Sequence, residues 1–185
     1  EAVMRARATP RFAPERVVGI GIDTTGSTPL PVDGDGVALA LRDRFAGNPA
    51  AMAWLWKDHT AHAEAAEITD AIRRAGLPYL DTCGGTYSSE WFWSKILRCE
   101  RTQPDVAAAA HAWVELCDYV PALITGTADP QRMARSICAA GHKAMYHPRW
   151  NGLPSASFLD ALSPGLSRMR DRSAERALPA HRAVG

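Results

Sequence analysis

The stretch Asp23-Thr24-Thr25-Gly26-Ser27-Thr28 gathers one carboxylate, four hydroxyls and a glycine into six residues. Carboxylates accept and hydroxyls both donate and accept, so the set suits hydrogen bonding to a polyol, with the glycine allowing close backbone approach. Composition alone favours the plainer reading, a capped turn. A second concentration is Trp54, Trp56, Lys57, Asp58 and His59. There an indole face suits the apolar side of a sugar while Asp58 accepts hydroxyl hydrogens; a core tryptophan pair beside a helix cap is the alternative. The third is Gly141-His142-Lys143, followed by His147. It sets an ammonium in a glycine-flanked loop, able to donate to substrate hydroxyls or to developing phosphate charge, though a surface lysine is the ordinary expectation. Tyr87 and Glu90 border the glycine pair Gly84-Gly85 and join the candidates, whereas Trp91, Phe92 and Trp93 read as packing.

Other chemistries lack support. Asp58, His59 and His62 include residues that share a helix face, but zinc and iron sites normally need three or more protein ligands, and no further ligand cluster accompanies them. Gly19-Ile20-Gly21 lacks the third glycine of a dinucleotide fingerprint and reads as strand. There is no GxxxxGK[ST] phosphate cradle, nucleophile elbow or Ser-His-Asp order. Cys83, Cys99, Cys117 and Cys138 form no CxxC pair, which argues against a zinc knuckle or redox dithiol and for a reducing compartment. A net charge of +1, from 21 basic and 20 acidic residues, offers no extended surface to nucleic acid or membrane. No signal-like segment and no apolar run near the ~20 residues that span a bilayer is present, so the expected location is cytoplasmic.

The elements that would position these groups follow from periodicity. One domain fits 185 residues of 46% hydrophobic and 22% charged composition. Residues 1–12 read as the end of a helix without a cap, and Arg16–Asp23 (RVVGIGID) as a buried strand. Pro29–Asp33 and Val37–Leu41 are predicted as an antiparallel pair turned by Gly34-Asp35-Gly36. Asn48-Pro49 marks a short helix start, and Trp54–Trp56 a further strand. Thr60 is predicted to cap a helix running to Ala75 and stopped by Gly76, with Ala61, Ala65, Ile68 and Ile72 on one face. Ser88 or Ser89 would cap the aromatic helix EWFWSKILRC, and another helix is expected from about Pro104 to Tyr119. Beyond Pro121 the chain breaks into short pieces, with a helical stretch at Gln131–Ile137 and a solvated basic tail from Arg168 through Arg182. Strands first and helices after point to an α/β domain with a partly antiparallel sheet.

Five segments taken in order, GIGIDTTGSTPLPVD, WLWKDHTAHAEAAEIT, GGTYSSEWFWSKIL, WVELCDYVPALITGT and AGHKAMYHPRWNGLPSASFLD, closely resemble the ribulokinases of the FGGY carbohydrate-kinase family. The resemblance covers about residues 17–162. It implies an actin-like ATPase, ribonuclease H-like α/β fold, with residues 1–167 a partial amino-terminal domain on the sugar-binding side and 168–185 a tail outside the pattern. It also implies transfer of the γ-phosphoryl group of ATP, with Mg²⁺, to L-ribulose or a related ketopentose. By position, Gly26, Ser27 and Thr28 would line the sugar site, Trp56 and Asp58 would match the family's Trp-x-Asp, and Lys143 would contact sugar hydroxyls. Tyr87 stands beside them as a candidate from its place next to the glycine pair. The family's phosphate loop precedes the region matched here, and its general-base aspartate and adenine-binding segments lie in a carboxy-terminal domain that follows it. The isolated chain is therefore expected to bind no ATP or Mg²⁺, to turn nothing over alone and to need that second domain as partner. A sheet edge left open by a missing first strand would favour association of like copies. Another FGGY kinase, such as a xylulokinase, and a non-catalytic sugar-binding module are the competing assignments.

Overall fold

In the computed structural model, which describes residues 2–173, the shared framework is one antiparallel strand pair flanked by helices. Strand β1 (Pro29–Val32) and strand β2 (Ala112–Glu115) run in the register Pro29↔Glu115, Leu30↔Val114, Pro31↔Trp113, Val32↔Ala112. Two prolines are tolerated in β1 because alternate residues face opposite edges. The carbonyls of Thr28 and Val32 point to the β2 side, where Leu116 N and His111 N donate to them, while the Pro29 carbonyl faces away and accepts from Trp54 N at 2.9 Å. The missing proline N–H groups thus fall on the edge that has no ladder to feed. All eight residues of the pair are buried.

Seven α-helices are described: α1 (Ala2–Arg7), α2 (His62–Arg74), α3 (Phe92–Thr102), α4 (Pro104–Ala109), α5 (Leu116–Thr125), α6 (Ala156–Leu162) and α7 (Pro164–Ser173). The main core lies between α2, α3, α7 and the face of β2 that carries Trp113, with Ile68, Ile72, Trp93, Ile96 and Leu166 almost solvent-free. Because strand side chains alternate, Val114 faces a second, smaller core with Leu30, Val32, Tyr119 and Met133. Helix α2 ends as its sequence predicts: Gly76 takes φ +61°, and Leu77 N closes back on the Ile72 carbonyl at 3.1 Å. Asn48 also behaves as expected, accepting from Ala50 N at 3.0 Å ahead of Pro49.

Several expectations are corrected. Arg16–Asp23 is not a buried strand. Val17, Val18, Ile20 and Ile22 are exposed in chain without regular structure, since no described strand lies alongside to pair them. The hairpin begins at Asp33, whose carboxylate accepts from Asp35 N and Val37 N, with Gly36 at φ +76°. It stops after one bridge, Val32↔Ala38, because Ala38 N donates to the Tyr119 hydroxyl, and Leu39–Leu41 coils into a 3₁₀ turn. Trp54–Trp56 is a loop, not a strand.

Thr60 does not cap α2. Its N–H and hydroxyl both donate to Asp58 Oδ1, and the helix starts two residues later. Nor do Ser88 and Ser89 flank α3 directly, which begins at Phe92 with Trp91 before it; Ser88 Oγ instead accepts from Glu90 N at 3.2 Å. The single helix expected over Pro104–Tyr119 is three elements, α4, β2 and the start of α5, because Trp113 and Val114 are drawn into pairing with β1. Gln131–Ser136 has no helix; helical structure starts only at Ile137 and widens into a π-helical turn at Ala139–Lys143. Of the basic tail, residues 168–173 belong to α7, while 174–185, with Glu175, Arg176 and Arg182, lie outside the described residues.

The fold rests on the α2–α3 contact more than on surface charge. Ile68→Ala, at a position with no solvent exposure, is expected to cost about 2–5 kcal/mol. The exposed Asp70→Ala should cost under about 0.5 kcal/mol. Urea unfolding of the two variants checks this difference.

Candidate functional site

Three segments remote in sequence converge near the carboxy-terminal end of β2: the turn 23–28, the loop 54–60 and the wide turn 139–143. Gly26 and Lys143 approach each other closely. A Cβ at Gly26 would collide with Lys143 Nζ, so the missing side chain makes room first of all for the ammonium. Lys143 is partly exposed, and its Nζ donates to no described residue. Its backbone is fixed from behind. The Tyr87 hydroxyl donates to the Lys143 carbonyl and accepts from Trp93 N at 3.0 Å, while Trp93 Nε1 donates to the Ala144 carbonyl at 2.8 Å.

The loop 54–60 separates its two tryptophans. Trp54 packs edge-on to Trp113, with centroids 6.1 Å apart, and its Nε1 donates to the Ala50 carbonyl. Trp56 is 48% exposed and presents a free indole surface. Asp58 is half-buried; Oδ1 is committed to Thr60, whereas Oδ2 accepts from no described residue. His59 leans on the approach to α3, with Nδ1 3.3 Å from Ser89 Oγ and Nε2 3.6 Å from Glu90 Oε1. Lys57 and Asp58 also border a groove of about 600 Å³ shared with Met52, Trp54 and Thr102; neither Gly26 nor Lys143 lines it.

Of the residues singled out by sequence, Gly26, Trp56, Asp58 and Lys143 therefore lie at the surface, and three lie behind it. Ser27 is buried in the left-handed region at φ +61°, and Thr28 is wholly buried, its hydroxyl 2.8 Å from that of Thr25. Tyr87 is buried as well, its hydroxyl committed on both sides, and burial raises its pKa well above the usual phenol range. Small polar side chains beside a glycine fill the second layer here because the turn is pressed onto the end of β2, where Thr28 N donates to Glu115 Oε2 at 2.8 Å.

The residue that sequence reasoning passed over is Lys95. It is wholly buried in α3, and its Nζ donates to the carbonyls of Ser27 at 2.8 Å, Leu55 at 2.8 Å and Trp54 at 3.2 Å. Burial pulls its pKa down to about 8 against the opposing pull of Glu115, Asp58 and Glu90. A signal was available: Phe92 and Cys99, three and four residues from Lys95 on the same face of the helix, are apolar, which puts the lysine on a core-facing stripe. Behind it lies a second polar group. Arg135 Nη1 donates to the Trp113 carbonyl at 3.2 Å, and Asp118 Oδ1 accepts from Ser136 N at 2.9 Å, but Arg135 Nε and Nη2 and Glu115 Oε1 are buried with no hydrogen-bond partner.

Burial pushes the Glu115 carboxyl from its ordinary 4.5 up to about 7, against the Thr28 N–H and the Lys143 and Lys95 charges that favour ionisation. A carboxyl whose folded pKa is raised contributes stability that is full below its unfolded pKa and is lost as pH rises through about 7. The melting temperature should therefore fall between pH 5 and pH 7.5, through a contribution of about 3 kcal/mol at most. Glu115→Gln should flatten that slope in calorimetric melts across the same range.

Comparison with known proteins gives this arrangement a context. No protein-family model matches the chain. It is 47% identical over 186 aligned residues to a ribulokinase of Vibrio parahaemolyticus, an alignment that takes in 100% of this chain and 33% of that protein. It is 42% identical to a ribulokinase of Shouchella clausii, over 83% of the chain and 26% of that protein. A ribulokinase of Mycolicibacterium smegmatis is 35% identical over 96% of the chain and 30% of its own length. The chain thus spans about a third of the length of the curated relatives it matches, and the alignment with the Vibrio parahaemolyticus protein runs through residues 168–185 as well. Along its length the chain is thus similar to a segment of about a third of a ribulokinase.

Proposed function

We propose that the chain supplies one sugar-facing wall of an ATP-dependent ribulokinase of the FGGY type, a cytoplasmic enzyme of L-arabinose breakdown that phosphorylates L-ribulose. The observation that carries this reading is the ammonium of Lys143 laid against Gly26 with no hydrogen-bond partner among the described residues, in a chain that aligns along its length with ribulokinases. In this reading Lys143 donates to sugar hydroxyls, Asp58 Oδ2 accepts a hydroxyl hydrogen, and the exposed face of Trp56 covers the C–H side of the pentulose. Tyr87, Ser27 and Thr28 act one layer back: the Tyr87 hydroxyl holds the Lys143 backbone, and the Thr28 N–H holds the turn to Glu115. Residues 1–167 belong to the sugar-binding side of an amino-terminal domain with the actin-like, ribonuclease H-like fold.

When bound in such an enzyme, MgATP supplies the phosphoryl group. Among the described residues no group of three His, Cys, Asp or Glu side chains converges, and the cation at the wall itself is Lys143. Positioning and charge stabilisation across a closed cleft carry phosphoryl transfer, so the role of this chain is to bind and orient the acceptor. No described helix is long and apolar enough to cross a membrane.

Calorimetric titration of the 185-residue chain with L-ribulose tests the reading. Millimolar or tighter binding is expected, weakened about ten-fold by Asp58→Ala and by Lys143→Met, the equivalent of about 1.4 kcal/mol each. No sugar-dependent ADP formation by the chain alone is expected. Absence of binding, or binding untouched by both substitutions, contradicts the assignment.

A further inference from the structure

Lys95 is a buried titratable group that the proposed chemistry leaves unused. All three of its ammonium hydrogens go to backbone carbonyls, and none of its contacts is to a carboxylate oxygen. An ammonium held this way is costly to desolvate, and an apolar side chain of similar length would fill the same space in α3. What the charge supplies is geometry. Ser27 lies next to Gly26, and Trp54 and Leu55 lead into Trp56 and Asp58, so one point charge fixes two segments that no strand pairing joins at this place. Ser27 sits in the left-handed region, which a residue with a side chain rarely adopts unless something holds it, and its carbonyl is one of the three ligands of Nζ. We propose that Lys95 is a positioning residue for pentulose binding, setting the Gly26 turn against the Trp56–Asp58 loop and so the spacing at which Lys143 and Asp58 reach one sugar.

The proposal rests on the sugar-wall reading and adds a residue to it. The charged groups facing Lys95 are Glu115 from β2, Asp58 from the loop, Glu90 ahead of α3 and Lys143 from the wide turn; the three carboxylates support the ammonium and Lys143 opposes it. Burial places loss of its proton near pH 8. A neutral amine has two hydrogens to give, so one of the three carbonyls is then released.

The test is titration of the chain with L-ribulose at pH 7.5 and pH 9, for the parent sequence, Lys95→Met and Lys95→Arg. The parent affinity should drop at least three-fold over that range, and loss of that slope in both Lys95 variants assigns it to the lysine. Lys95→Met should bind at least ten-fold more weakly at pH 7.5 with no pH slope, and Lys95→Arg should recover part of the affinity, also without slope. If Lys95→Met does not fold, the parent profile and Lys95→Arg decide. Parent-like affinity in folded Lys95→Met, or a parent affinity level from pH 7.5 to 9, overturns the role of Lys95. Failure of the parent to bind at either pH instead overturns the sugar-wall reading on which it rests.

Discussion

An ammonium surrounded by backbone carbonyls is the constraint on which the surface of this molecule depends. The strand pair β1–β2 carries the core, but it ends before the candidate site begins: β1 starts at Pro29, and the loop 54–60 touches it by one backbone hydrogen bond, from Trp54 N to the Pro29 carbonyl. Past that point the turn at Gly26 and the loop at Asp58 share no ladder. Lys95 replaces a ladder with three charge-assisted hydrogen bonds, roughly twice as strong individually as neutral ones and aimed from a rigid helix. Tyr87 and Trp93 act similarly for the third segment, clamping the Lys143 and Ala144 carbonyls from the same helical region.

This arrangement explains an otherwise unfavourable distribution of charge. Glu115 is buried with one oxygen unpaired, Arg135 is buried with two donors unpaired, and Lys95 and Lys143 both act on Glu115 electrostatically. Unsatisfied buried groups each cost about 1–3 kcal/mol, which an interior built only for stability would avoid. Their concentration at the end of β2, next to the partly exposed Lys143, fits a surface that trades stability for a fixed set of donors and acceptors.

The legible part of the sequence was the part whose physics is local. The stop of α2 at Gly76, the Asn48-Pro49 start and the turn at Gly36 follow from backbone freedom and capping, and the structure has them. Elements that depend on a partner were misread. Residues 17–23 have the pattern of a strand but no described neighbour, and Ala112–Glu115 looked helical beside an alanine run yet pairs with β1. Among site residues, the exposed and half-buried ones, Trp56, Asp58, Gly26 and Lys143, were reachable from residue type and order. The division between surface and second layer was not. Nothing in the run Ser27-Thr28 says that both are pressed beneath the turn, and nothing in Tyr87 says that its hydroxyl is spent on Lys143. Lys95 was hidden by habit, since a lysine in a helix is ordinarily assigned to solvent.

The central claim is that three segments joined through α3 form one binding surface, and amide chemical shifts followed during L-ribulose titration test it most directly. Gly26, Trp56, Asp58 and Lys143 should shift together along one saturation curve, while Ala122 and Ala134, beside a separate groove of about 420 Å³, stay still. Shifts confined to one segment, following different curves, or centred on Ala122 and Ala134 would contradict it.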